Sequence, residues 1–416
     1  MGEADDDATV RRRWIGAAGW PTVAHWIAMN AGLHEFLAQD RVIWGKPACE
    51  AVLEETERRG AKRVFIVTSK TLNRQTDAVQ KIRDALGDRH AGTFDECIEH
   101  TPRESVIAAA DAARAAAPDM VLTFGGGTAI DTVKVMLIAL AHDVTRPEQL
   151  GEYHLRLNAD GSLHAPATKP PPYRQVVLST TLSAAEFSDF GGCTDTERKV
   201  KDGFGGKYCG AAAVILDPAV TVHTPEWLWL STAIRAIDHA VEGICSIQPS
   251  PLVEAMSLHA LHLFGRSLAS TRGNIADMQA RLECLQGAWL SGIGIRRVPY
   301  GASHGIGHSL GAVTGMSHGY TSCVMLPHVM RWNFDATREA QARIAQAMGR
   351  SDGDAPQAVA DLVTSLGLPT RLRDAGVKQA QFEAVARGAA QNMWVKSNPR
   401  PIKGADDVIT LLNAAW

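Results

Sequence analysis

The sequence predicts an α/β N-terminal domain on a parallel sheet, followed by an all-α C-terminal domain. Three observations predict it. Short apolar strand-like runs alternate with helical patterns through the first half. One strand runs straight into three glycines, Gly125, Gly126 and Gly127, and a helix opens behind them. Beyond about residue 224 the alternation stops and long helical periods take over.

Residues 1–40 read as a leader with no clear period. "DRVIWG" (40–45) predicts a short strand, and "PACEAVLEETERRG" (47–60) a helix that starts at a proline and stops at a glycine. "RVFIVTS" (63–69) predicts a buried strand, 73–87 a second helix, and "RHAGTFDEC" (89–97) a further strand. "PRESVIAAADAARAAAP" (102–118) is an alanine-rich helix. "DMVLTFGGG" (119–127) is the strand that meets the helix "TAIDTVKVMLIALA". From 142 to 174 the pattern lapses into a proline-rich surface loop. "QVVLSTT" (175–181) resumes the sheet and "AAVILDP" (212–218) closes it. Helices are then expected at 225–246, 251–270, 274–294, 336–349, 355–367 and 405–416. The domains predicted are 1–224 (α/β, with its leader) and 225–416 (helical), and ligands favour the crevice between such domains.

Composition narrows the class. A net charge of −3 over 416 residues gives no electrostatic case for nucleic acid or a membrane surface. The seven cysteines are scattered without a C-x-x-C pair, which argues against a disulfide framework and suits a reducing cytoplasm. "RRRWIGAAGW" follows acidic residues and is interrupted by Pro21, His25 and Asn30, so it is read as no signal peptide. The apolar stretch 133–141 is too short to span a bilayer.

Four motifs carry chemistry. In "FGGGTAID" (124–131) the glycines let a ligand approach the backbone, and the helix opening at Thr128 offers free N–H groups and a partial positive charge. That suits a pyrophosphate; a tight strand–helix turn with no ligand is the alternative. In "STTLSAAEFSDFGGCTD" (179–195), Thr180, Thr181 and Ser183 are placed to donate to a phosphate or ribose, or form an ordinary polar loop. In "STAIRAIDHAVEG" (231–243), Arg235 and His239 stand at i and i+4 on one face, and Asp238, about 100° away, is read as outside that face. In "SHGIGHSLGAVTGMSH" (303–318), His304 and His308 lie one turn apart and His318 follows; with His239 these imidazoles form a candidate divalent-metal set or serve unrelated purposes.

Together "GGGTAID", "TTLSAAEFS", "AIDHAVEG", "SHGIGHSLG", "SHGYTSCVMLPHVMRWN" and "NPRPI" resemble the iron-containing (group III) alcohol dehydrogenase superfamily, in its maleylacetate reductase-like branch. The resemblance runs from about residue 40 to the C-terminus. It implies an NAD(P)H-dependent oxidoreductase acting on CH–OH or C=O groups, cytoplasmic and homodimeric, with no nucleic acid or membrane partner. By this resemblance Gly125, Gly126, Gly127, Thr128 and Asp131 hold the pyrophosphate, and Thr180, Thr181, Ser183 and Lys199 add cofactor contacts. Ser179 stands where the motif usually begins with proline. Ser69 stands where many members carry an aspartate that disfavours NADP, which leaves NADP open beside NAD.

The family's metal is held by an aspartate and three histidines. The histidines match His239, His304 and His318, and His308 matches a non-ligand histidine suited to proton relay. The aspartate position is Arg235. A guanidinium has no lone pair and repels a dication, but its planar fork suits a carboxylate or an oxyanion. The first expectation is therefore a metal-free reductase of maleylacetate or a related oxo acid, with Arg235, His239 and His308 as catalytic residues. In the alternative Arg235 swings away to an acid such as Glu242, and the three histidines hold Fe2+ or Zn2+ in a metal-dependent alcohol dehydrogenase. Further readings are a dehydroquinate synthase-like lyase and a catalytically dead binding protein.

Overall fold

The computed structural model describes residues 32–158 and 163–416, so the leader and signal-peptide readings fall, up to residue 31, outside the described residues. In chain order the strands are β1 (Arg41–Trp44), β2 (Val64–Val67), β3 (His90–Phe94), β4 (Met120–Gly125), β5 (Arg156–Leu157), β6 (Leu163–His164), β7 (Gln175–Ser179), β8 (Phe190–Asp195), β9 (Val200–Gly205) and β10 (Ala213–Leu216). Six of them form one parallel sheet in the order β1-β10-β7-β4-β2-β3. Helices α1 (Ala48–Arg58), α2 (Lys70–Gln75), α3 (Ala78–Leu86), α4 (Arg103–Ala116) and α5 (Gly127–Ala141) belong to this half.

The inner strands β2, β4, β7 and β10 are buried along their whole length, because a parallel sheet is covered on both faces. Alternate residues serve opposite layers. Ile66, Leu122, Val176 and Ile215 pack with Val52 of α1 and Ile82 of α3. Phe65, Val67 and Val121 pack with α4 and α5.

The second half is helical: α6 (Glu226–Ile244), α7 (Pro251–Ser267), α8 (Met278–Gly292), α9 (Ala302–Thr314), α10 (His318–Ala347), α11 (Ala355–Ser365), α12 (Phe382–Gln391), α13 (Met393–Lys396) and α14 (Ala405–Ala414). Val177, Val214 and Leu216 of the sheet share one core with Trp229, Ile234 and Ile237 of α6. Each such side chain contributes roughly 1.5–3 kcal/mol on burial. That shared core fixes α6 against the sheet and so fixes its polar residues relative to the strand ends. No helix among the described residues is long and apolar enough to cross a membrane.

Several expectations are corrected. The helix expected over 73–87 is two, α2 and α3, because Thr76 turns extended (φ −134°, ψ 165°) and its hydroxyl donates to the Leu72 carbonyl. The polar loop expected after β7 contains a β-hairpin, with β8 and β9 antiparallel. The helix expected at 336–349 is the end of α10, which contains Pro327 and breaks its helical geometry at Thr337 (φ −132°, ψ 21°). Helices α12 and α13 were not expected.

Candidate active site

The glycine run and the threonine loop meet at the C-terminal edge of the sheet. Gly125 and Ser179 are register partners, and Thr180 N–H donates to the Gly125 carbonyl at 3.1 Å. A Cβ on Gly126 would stand 2.5 Å from Thr181 Cγ2, and one on Gly127 would stand 3.3 Å from Ser183 Oγ. Only glycine lets these loops pack so closely. No side chain caps the start of α5, and Gly126, Gly127 and Thr128 are half-buried. The N–H groups there remain for an anion. Thr181 Oγ1 lies 3.3 Å from Ser183 Oγ. Gly125, Gly126, Gly127, Thr128, Thr180, Thr181 and Ser183 thus form one continuous edge.

Three other cofactor candidates have different surroundings. Asp131 is half-buried and fastens α5 to the hairpin: it pairs with Lys134 Nζ at 3.3 Å and accepts from the Gly192 amide at 3.1 Å. Ser69 is the N-cap of α2, its hydroxyl accepting from Leu72 N–H at 3.2 Å. Lys199 is exposed in the turn between β8 and β9. The lysine of this hairpin that faces a site histidine is Lys201, whose Nζ lies 3.3 Å from His318 Nε2. Sequence reading missed it because the hairpin itself was missed: neither strand carries an alternating apolar pattern that would have marked it.

The facing wall comes from α6, α9 and α10. Arg235 is buried, 8 % exposed; its Nη1 donates to Ser322 Oγ at 3.2 Å and lies 3.7 Å from Asp238 Oδ2. Asp238 was placed off the Arg235 face. The structure corrects this, because i and i+3 on a helix are neighbours. Asp238 Oδ2 also accepts from Ser303 Oγ at 2.8 Å and Ser322 Oγ at 2.6 Å. Burial lowers the Arg235 pKa, opposed by Asp238 and Glu242, but a guanidinium stays charged. The outward swing toward Glu242 does not occur. Glu242 instead caps the start of α9, accepting from the amides of Gly301 at 3.0 Å and Ser303 at 2.8 Å.

Glu242 Oε2 also lies 2.7 Å from His304 Nδ1. His304 Nε2 lies 2.7 Å from His239 Nδ1, and His239 Nε2 lies 3.4 Å from the Ser183 carbonyl oxygen. The chain Glu242–His304–His239 therefore ends at the cofactor loop. His308 is half-buried, its ring 4.7 Å from Trp394 and 5.8 Å from His318 between centroids. Burial first, then the charges of Arg235 and Lys201, holds His308 and His318 well below the ordinary imidazole value. Burial, His304 and Arg235 do the same to His239. Tyr300, also missed, is buried over His239 and His304 with centroids at 5.6 and 4.7 Å, and its hydroxyl has no partner among the described residues. Asp238, Glu242 and His304 each offer a ligand atom, and these lie within 4.8 Å of one another.

Residues 39–218 match the family model for iron-containing alcohol dehydrogenase, and residues 229–416 match the C-terminal model of the same family. The chain is 31 % identical over 396 residues to Dehydrogenase ALT3 of Alternaria alternata, covering 86 % of this chain and 99 % of that one. It is 30 % identical over 399 residues to 1,3-propanediol dehydrogenase of Klebsiella pneumoniae, covering 92 % and 99 %. Its structure is similar to that of maleylacetate reductase from Agrobacterium tumefaciens, with a TM-score of 0.78, 26 % identity and coverage of 93 % and 99 %.

Proposed function

The chain belongs to the iron-containing alcohol dehydrogenase family, an oxidoreductase acting on CH–OH or C=O groups, and from that premise we propose that it is an NAD(P)H-dependent, metal-independent reductase of a small oxo acid such as maleylacetate. The observation that carries the reading is the buried guanidinium of Arg235 one turn before His239.

A nicotinamide dinucleotide fits the edge of the sheet. Gly125, Gly126, Gly127 and Thr128 would cradle its pyrophosphate, because the close Gly126–Thr181 approach leaves no room for a side chain and the helix start has no cap. Thr180, Thr181 and Ser183 line the same edge. When bound, the cofactor supplies the hydride.

A divalent cation does not fit the donors present. The family's carboxylate ligand position is a guanidinium held inward by Asp238 and Ser322. His239 and His304 spend facing nitrogens on one another, and His318 Nε2 faces an ammonium. The Asp238–Glu242–His304 group fits no better. Glu242 is spent on α9 and His304, and Asp238 Oδ2 faces Arg235 and two hydroxyls, which leaves only Asp238 Oδ1, 3.4 Å from His304 Nδ1, without a hydrogen-bond partner among the described residues.

Arg235 would take over the cation's electrostatic work. As hydride reaches the carbonyl carbon, negative charge grows on oxygen, and a fixed guanidinium in a water-poor wall stabilises it without reorganisation. His308, half-buried, would relay a proton to that oxygen, giving up its N–H as its other ring nitrogen takes a proton from solvent. His239, held by His304 and Glu242, would keep its ring fixed beside Ser183. A substrate carboxylate suits the two cations that reach this site, Arg235 and, from the hairpin, Lys201.

A screen of NADH and NADPH oxidation against oxo acids and matched neutral aldehydes tests this. The reading requires turnover of an oxo acid. Turnover of neutral aldehydes alone would favour the broader alcohol dehydrogenase.

A further inference from the structure

Lys201 stands apart from the other charges at this junction. Arg235 is paired with Asp238, and Lys134 is buried with Asp131, two carbonyls and a hydroxyl around it. Lys201 pairs with no carboxylate among the described residues; its one hydrogen-bonding neighbour is His318 Nε2 at 3.3 Å. Of the two carboxylates whose fields act on it, Asp131 and more weakly Glu99, Asp131 is spent on Lys134 and the Gly192 amide. The side chain is open to solvent, so a ligand can reach it, yet enough protein surrounds it to lower the ammonium pKa by desolvation.

Its position is built. Lys201 opposes Thr194 in the hairpin register, but its stem lies back across Gly192: a Cβ there would stand 2.3 Å from Lys201 Cε. Only glycine allows that path. The turn end of the hairpin is clamped by Arg103, which pairs with Asp195 at 2.9 Å and Asp202 at 2.7 Å. A rigid ribbon thus delivers one unpaired ammonium from the α/β half to His318 of the helical half.

We propose that Lys201 is the specificity residue of the site and anchors the substrate's carboxylate, while Arg235 faces the carbonyl that is reduced; this rests on the oxo-acid reading above. An ammonium is a point charge with three rotatable donors. It suits a carboxylate whose orientation is set elsewhere, whereas the fixed fork suits the reacting oxygen. A phosphate of the cofactor offers the same anionic chemistry, and the test separates the two.

The experiment compares 4-oxobutanoate with its methyl ester, and measures the KM for NADH, in wild type, Lys201→Met and Lys201→Arg. A charge-assisted contact is worth roughly 10- to 100-fold. The acid-to-ester ratio of kcat/KM should fall by about that factor in the Met variant, and the Arg variant should recover most of it. A ratio that stays at the wild-type value overturns the proposal. If the NADH KM rises while the ratio holds, the anion is the cofactor's phosphate and the proposal is overturned. If neither compound is reduced by wild type, the oxo-acid reading fails by itself. Calorimetric titration of 4-oxobutanoate into the enzyme–NADH complex then decides: binding by wild type that is lost in Lys201→Met upholds the carboxylate site, and equal or absent binding overturns it.

Discussion

Arg235 Nη1 stands 3.7 Å from Asp238 Oδ2, one turn along the same helix, and Ser322 contacts both. In the proposed reading, this pair sets a fixed cation where the family resemblance implies a metal-binding carboxylate. Arg235→Met should lower kcat/KM by about 10²–10³, the cost of losing a principal stabiliser of the developing oxyanion. It should also lower stability by roughly 3–5 kcal/mol, since Asp238 is left buried without its counter-charge. The double variant Arg235→Met/Asp238→Asn should recover part of the Tm but none of the activity. Recovery of both together would mean that Arg235 is only structural.

Ser69 caps α2 through its hydroxyl. Aspartate caps as well as serine does, so Ser69→Asp should keep the fold. The added negative charge should lower kcat/KM for NADPH more than for NADH. An unaltered NADPH-to-NADH ratio would remove Ser69 from the cofactor site.

Gly126 meets Thr181 with no space for a methyl group. Gly126→Ala should push the two loops apart and raise the dissociation constant for NADH by about tenfold or more, read by quenching of protein fluorescence. Gly126→Ala combined with Thr181→Ser should recover part of that loss, because Cγ2, at 2.5 Å, is the nearest atom in the way, while Oγ1 at 2.9 Å remains.

Glu186 is fully buried, and neither carboxyl oxygen has a hydrogen-bond partner among the described residues. Burial raises its pKa from the ordinary 4.5, with the Ser179 hydroxyl, its own backbone and Lys134 pulling the other way. A carboxyl whose folded pKa lies above the unfolded one gives stability that is complete below the unfolded value and is lost as pH rises through the folded value. Wild type should therefore lose Tm as pH rises above the ordinary carboxyl range, and Glu186→Gln should flatten that fall. Parallel curves for the two proteins would contradict this account of Glu186.

Much of this was legible in the chain, for physical reasons. Buried parallel strands write themselves as continuous apolar runs, so Val64–Val67, Met120–Gly125 and Gln175–Ser179 were readable. The glycine run and the i, i+4 pair Arg235–His239 carry fixed geometry in their spacing. The hairpin was not readable, because "FGGC" and "VKDGFG" are rich in glycine and weak in alternating apolar signal. Lys201 was lost with it. Partnerships across 60 to 90 residues, such as Glu242 with His304 and Asp238 with Ser322, depend on how α6, α9 and α10 pack, and no local pattern encodes them.

In the proposed reading Arg235 replaces the metal. The direct measurement is oxo-acid-dependent NADH oxidation by chelator-stripped protein whose iron, zinc and manganese content has been determined by mass spectrometry on the same sample. The account predicts full activity at negligible metal content and no gain when those metals are returned. Activity that disappears with the metal and comes back with iron or zinc would contradict it.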